Sequence, residues 1–166
     1  MRKSLLIAAA FACWPIAAYA QPATTPAPGA NAASDATAFV TGIIDKFNAG
    51  DTKSFLAAHE DDALIVDDFG QHVWMGKGTA QRWLNDYMKQ SASLGDTGGH
   101  MDYRKPIASN AEGNSVYIVM PTTYRYVEKG TKMAGAGSMT FVVKREGKGW
   151  KVASWTYSGA TPVPEK

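Results

Sequence analysis

The chain has 166 residues, 45% of them hydrophobic, with 17 lysines and arginines against 15 aspartates and glutamates and one cysteine. Near-balanced charge without a basic run argues against a nucleic-acid partner, which needs a positive stripe. The single Cys13 leaves no disulfide framework and no thiolate metal site.

The first 20 residues, MRKSLLIAAAFACWPIAAYA, carry two basic residues, an apolar run and the small-x-small ending Ala18-Tyr19-Ala20. That is the pattern of a cleaved secretory leader, so the mature chain is expected to start at Gln21 and to be periplasmic or secreted. Cys13 would leave with the leader. A lipidated Cys13 is the competing reading, which bulky Phe11 fits poorly. Loss of Arg2 and Lys3 brings the mature net charge to zero. No later segment is apolar enough to span a bilayer.

Residues 21–34, rich in Pro and Ala, read as a flexible tether, because small residues cannot bury enough surface to fold. One domain follows over residues 35–160, with 161–166 as a tail. Phe39, Val40, Ile43, Ile44 and Phe47 recur on one helical face. Asn48-Ala49-Gly50-Asp51 stops that helix, and Asp51 caps a second one that buries Phe55 and Leu56. Residues 63–66 and 71–75 form a short hairpin with 67–70 as its turn. Gly76 to Thr79 caps a third helix, with Trp83, Leu84, Tyr87 and Met88 on its apolar side, and 95–99 is a loop. The runs 100–109, 115–127, 132–144 and 150–158 are rich in Val, Ile, Thr, Tyr and Trp and are divided by Gly-bearing turns. Short turns make such neighbours antiparallel. The outcome is an α+β domain, in which a curved sheet covered by helices leaves a pocket between the layers.

The segments FNAGD (47–51), EDDALIVDDFG (60–70), GKGTAQRWL (76–84) and GWKVASWTYS (149–158) resemble the NTF2-like superfamily. Its SnoaL-like branch is the nearest match and ketosteroid isomerase a more distant one. The resemblance spans about residues 36–158 and implies a cystatin-like cone: three N-terminal helices packed on a curved antiparallel sheet. It also implies a homodimer formed through the outer sheet face. It does not fix an activity, since the superfamily holds isomerases, cyclases, dehydratases, hydrolases and proteins without chemistry.

By resemblance, Asp67 stands where isomerase-like members hold their proton-shuttling base. A carboxylate facing an apolar cavity has its charged form disfavoured and becomes a better base. The competing reading makes Asp67 and Asp68 turn residues that bond local backbone; Asp68 fits it better. The isomerase's two oxyanion donors fall on Ile43 and Met139, which donate nothing. Tyr124 and Tyr157 are the candidate replacements. The resemblance further turns Phe47, His59, Trp83, Met120, Met139 and Trp155 toward the pocket, and strand alternation supports Met120 with Tyr124 and Trp155 with Tyr157. These side chains equally suit a filled core. His59 could exchange protons with Asp67 or simply satisfy a local partner. The spacing of His59, His72 and His100 matches no metal motif. GKGT (76–79) lacks the spacing of a phosphate loop, and AGAGS (134–138) marks a bulge or close backbone approach. No cofactor is implied.

Two functions follow. One is acid/base catalysis of isomerase, cyclase, dehydratase or hydrolase type on a small hydrophobic molecule. The other is a non-catalytic module that binds a small ligand or dimerises. An open cavity floored by a carboxylate favours the first, and a cavity plugged by Trp83 and Trp155 favours the second.

Overall fold

The structure is a computed structural model that describes residues 28–165. The expected leader and residues 21–27 of the expected tether lie outside the described residues.

Helix α1 spans Pro28–Asn48, so 28–34 are helical rather than tether. Proline suits a first helical turn because its missing N–H has no intrahelical partner there, and alanine is the best helix former. Ala36, Val40, Ile43 and Ile44 form its buried face. Gly50, at φ 76°, lets the chain leave the helix. Asp51 then accepts from Ser54 N at 3.0 Å and caps α2 (Thr52–Ala57), which buries Phe55. Helix α3 spans Thr79–Leu94, buries Trp83 and Leu84, and stops at Gly95. No helix among the described residues is long and apolar enough to cross a membrane.

The strands are β1 (His59–Val66), β2 (Val73–Trp74), β3 (Asp96–Tyr103), β4 (Ala108–Glu112), β5 (Ser115–Glu128), β6 (Thr131–Glu146), β7 (Gly149–Gly159) and β8 (Val163–Pro164). They form one sheet in the order β2-β1-β7-β6-β5-β3, with β4 beside β5 and β8 beside β6. The expected meander is present. Lys129 (φ 48°) and Gly130 (φ 87°) join β5 to β6 through two left-handed residues, which matches the twist of a tight hairpin.

Four further expectations need correction. The sheet is mixed, because β1 runs parallel to β7 through Leu64–Ser154, Ile65–Trp155 and Val66–Thr156. The expected loop 95–99 is mostly strand, since β3 already starts at Asp96. The expected strand 100–109 is broken at 104–107, opposite Met120 and Pro121, where Pro106 cannot donate to a ladder; β4 then resumes pairing along β5. The expected tail is tied down, because Val163 and Pro164 pair with Ala134 and Met133 of β6.

The core lies between the helices and the inner sheet face. Ile65, Val116, Ile118, Met120, Phe141, Val143, Val152 and Trp155 from the sheet meet Val40, Ile43, Trp83 and Leu84 from the helices.

Candidate active site

A cavity of about 610 Å³ opens between α1, α3 and the sheet. The alternation of β1 turns Ala63, Ile65 and then Asp67 inward. Asp67 therefore ends the strand with its carboxylate in the cavity wall, only 9% exposed.

Both carboxylate oxygens are held. Oδ1 accepts from the backbone N–H of Asp68 at 2.8 Å, and Oδ2 accepts from Trp83 Nε1 at 2.9 Å. Loss of hydration outweighs these bonds and pushes the Asp67 carboxyl up to about 6. Its backbone also closes the turn: Asp67 N donates to His72 O at 3.0 Å, and His72 Nδ1 donates to Asp67 O at 3.2 Å. The turn reading and the cavity reading of Asp67 thus hold together, while Asp68 is exposed at the cavity mouth.

The aromatic residues make walls, not a plug. Trp83 and Trp155 meet edge-to-face at 4.9 Å, Trp83 stacks on Tyr87 at 5.4 Å, and Phe47 packs on both Trp83 and Tyr87. Of the expected lining, Phe47, His59, Trp83, Tyr124, Met139, Trp155 and Tyr157 all border the cavity. Met120 does not. It is fully buried beneath the cavity, in register with Met139, and acts as core. Strand parity gave its face correctly but not its depth.

His59 is locked. Its Nδ1–H donates to Phe55 O at 2.8 Å, and Nε2 accepts from Trp155 Nε1 at 3.0 Å. Both ring nitrogens are used, and burial pushes its pKa down to about 4. A neutral ring without a free lone pair is not a proton partner for Asp67, so His59 is structural.

Tyr157 differs. Its ring lies across Gly137 and Gly159, where an added Cβ at Gly137 would stand 2.9 Å from the ring and one at Gly159 would overlap its hydroxyl. The AGAGS glycines thus serve a close approach. Among the described residues the hydroxyl has no hydrogen-bond partner. Burial and the charges of Asp68 and Asp67 push it up to about 12, so it is a neutral donor. Tyr124 is instead committed to Tyr87, with hydroxyls 2.8 Å apart. Ile43 and Met139 border the cavity and supply no donor.

Several cavity residues are not singled out in the sequence, Tyr87, Asp96 and Phe69 among them. Tyr87 was counted among the apolar residues of α3, Asp96 fell in the expected loop, and Phe69 fell in the turn. The four-residue step from Trp83 to Tyr87 is the available signal for Tyr87. Among the described residues no group of three or more His, Cys, Asp or Glu could hold a metal ion.

A family model for the SnoaL-like domain matches residues 36–164, so the chain belongs to the SnoaL-like family. No curated protein matches it. Among solved structures it is similar to the hexachlorocyclohexane dehydrochlorinase LinA-type3 from Novosphingobium barchaimii LL02, at 12% identity and a TM-score of 0.67, over 82% of this chain and 91% of that one. It is also similar to a ketosteroid isomerase-like protein from Erwinia carotovora atroseptica SCRI1043, at 18% identity and a TM-score of 0.63, over 78% and 96%. At these identities the likeness is one of fold: the NTF2-like cone.

Proposed function

We propose that the cavity is an active site for acid/base chemistry on a small hydrophobic molecule, with Asp67 as the base. The observation that carries this is a carboxylate buried in the aromatic wall of an open cavity and poised at about 6. A base with that pKa is ionised at neutral pH and still binds a proton well.

The reaction begins as a proton transfer from a substrate C–H to a free lone pair of Asp67. The two electrons of that bond move to the adjacent carbon. In an elimination they form a C=C bond and expel a leaving group. In an isomerisation they pass through an enolate, and Asp67 returns the proton at another carbon. Tyr157, a neutral donor that borders the same cavity, would protonate a leaving oxygen or hydrogen-bond an enolate oxygen. The similarity to a dehydrochlorinase and an isomerase-like protein is consistent with both branches.

A second reading is a binding module without turnover. Ile43 and Met139 favour it, because they leave the far wall without oxyanion donors. The test is a screen of the purified protein against cyclic halides, alcohols and ketones, read by product formation. Asp67→Asn should lower any turnover by about 10²–10⁴-fold. Full turnover in that variant rules out Asp67 as the base, and binding without turnover favours the second reading.

The proposal includes export after cleavage behind Ala20, and by family analogy a homodimer through the outer sheet face, where Tyr117 is exposed.

A further inference from the structure

The cavity runs along α3. Trp83, Tyr87, Gln90, Ser91 and Leu94 border it in sequence, and Asp96 borders it just past the helix end. At 1.5 Å per residue, the path from the level of Trp83, where Asp67 sits, to that of Leu94 is roughly 16 Å. The cavity is therefore elongated and has a polar feature toward each end.

The end remote from Asp67 has two unfilled hydrogen-bonding capacities. Asp96 Oδ1 is buried and has no partner among the described residues. The Tyr87 and Tyr124 hydroxyls bond each other at 2.8 Å. Whichever one donates, the accepting hydroxyl keeps its own proton, and neither has another partner among the described residues. That remaining proton is a stronger donor for being part of a chain. Gly99 of β3 makes room for the pair: an added Cβ would stand 2.8 Å from the Tyr124 oxygen and would overlap that of Tyr87. Tyr126 stacks on Tyr124 at 5.4 Å and continues the aromatic wall to this end.

Asp96 Oδ1 as acceptor and the tyrosine pair as donor, all from residues that border this end of the cavity, fit a group that both donates and accepts. Glu128, in register with Asp96, adds negative charge that Lys129 only partly offsets, and this disfavours an anion. We propose that Asp96 and the Tyr87–Tyr124 pair form a second subsite that binds a neutral hydroxyl at the end of a flat, elongated, multi-ring molecule. The hydroxyl donates to Asp96 Oδ1 and accepts from the tyrosine pair, while the rings lie along Trp83, Tyr87 and Phe47. This rests on the reading of the cavity as an apolar ligand site and fixes which end of the ligand faces away from Asp67.

Calorimetric titration of the protein with 2-naphthol and with 2-methoxynaphthalene tests this. The two probes share a ring system, and only the first can donate. The unmodified protein should bind 2-naphthol about tenfold more tightly, because the ether leaves Asp96 unpaired. Asp96→Ala and Asp96→Leu should each bring the ratio close to one while keeping the affinity for 2-methoxynaphthalene, which also reports that the variants are folded. Asp96→Leu keeps the side-chain volume and removes both acceptors, and it carries the test if Asp96→Ala does not fold. Asp67→Asn should leave the ratio intact. Equal binding of both probes means that water fills the gap, and overturns the subsite. A ratio that survives both variants, or that is lost only in Asp67→Asn, also overturns it, the last by placing the hydroxyl at the catalytic end. Binding of neither probe overturns the apolar-site reading as well.

Discussion

The indole of Trp83 donates to Oδ2 of Asp67 at 2.9 Å, joining the third helix to the end of the first strand across a sequence separation of 16 residues. The bond favours the charged carboxylate and partly offsets the desolvation that raises it. Trp83→Phe keeps a ring in the wall but removes the donor. The Asp67 carboxyl should then titrate about one unit higher than in the unmodified protein, as expected for loss of a charge-assisted bond. Carboxyl-detected NMR measures this; an unchanged midpoint would mean that the indole does not stabilise the anion.

Asp67 and His59 oppose each other in their effect on stability. Asp67 is raised from 3.8 to about 6, so its contribution is fully present below 3.8 and is lost as pH rises through 6. His59 is lowered from 6.5 to about 4, so its contribution is fully present above 6.5 and is lost as pH falls through 4. Each shift corresponds to about 2–3 kcal/mol, and the windows overlap. Asp67→Asn leaves only the histidine effect, so acidification from pH 7 to 4 should cost that variant about 2–3 kcal/mol more than the unmodified protein. His59→Asn should gain a similar amount relative to the unmodified protein over the same range. Urea unfolding at the two pH values checks both; parallel behaviour of all three proteins would refute the burial argument.

Tyr157 should separate function from stability. Its hydroxyl has no partner among the described residues, so Tyr157→Phe should change unfolding free energy by less than about 0.5 kcal/mol while weakening turnover. Gly137→Ala should do the reverse in kind. Its methyl would stand 2.7 Å from Ser158 O and 2.9 Å from the Tyr157 ring, costing about 1–3 kcal/mol and displacing that ring. Thermal melts and a turnover assay distinguish the two effects.

Export gives a simple check. The mature protein recovered from a bacterial periplasm or medium should have a mass that begins at Gln21. A full-length or lipidated product would refute cleavage after Ala20.

The fold was legible where physics is local. Ile43, Ile44 and Phe47 marked a helix face, Gly50 and Asp51 its end, and the β-branched runs after residue 114 marked the long strands. Longer-range pairing was not. The parallel contact of Ile65 with Trp155 depends on sequence segments 90 residues apart, and no local pattern encodes it. The break at Pro106 hid two strands in one apparent run. Asp67 was found through the family resemblance, and the alternation of β1 is the physical reason that it turns inward. Asp96 was missed because glycines around it imitate a loop, and Tyr87 because a helix facing a cavity has the same periodicity as one facing a filled core. Met120 shows the converse: the same face as Tyr124, yet too deep to meet a ligand.

The most direct measurement is the titration of the Asp67 carboxyl in the unmodified protein, with Asp67→Asn as the assignment control. A midpoint near 6 is the expected result and establishes a desolvated base facing the cavity. A midpoint at or below the ordinary carboxylate value of about 3.9 would contradict it, leaving Asp67 as a turn residue only.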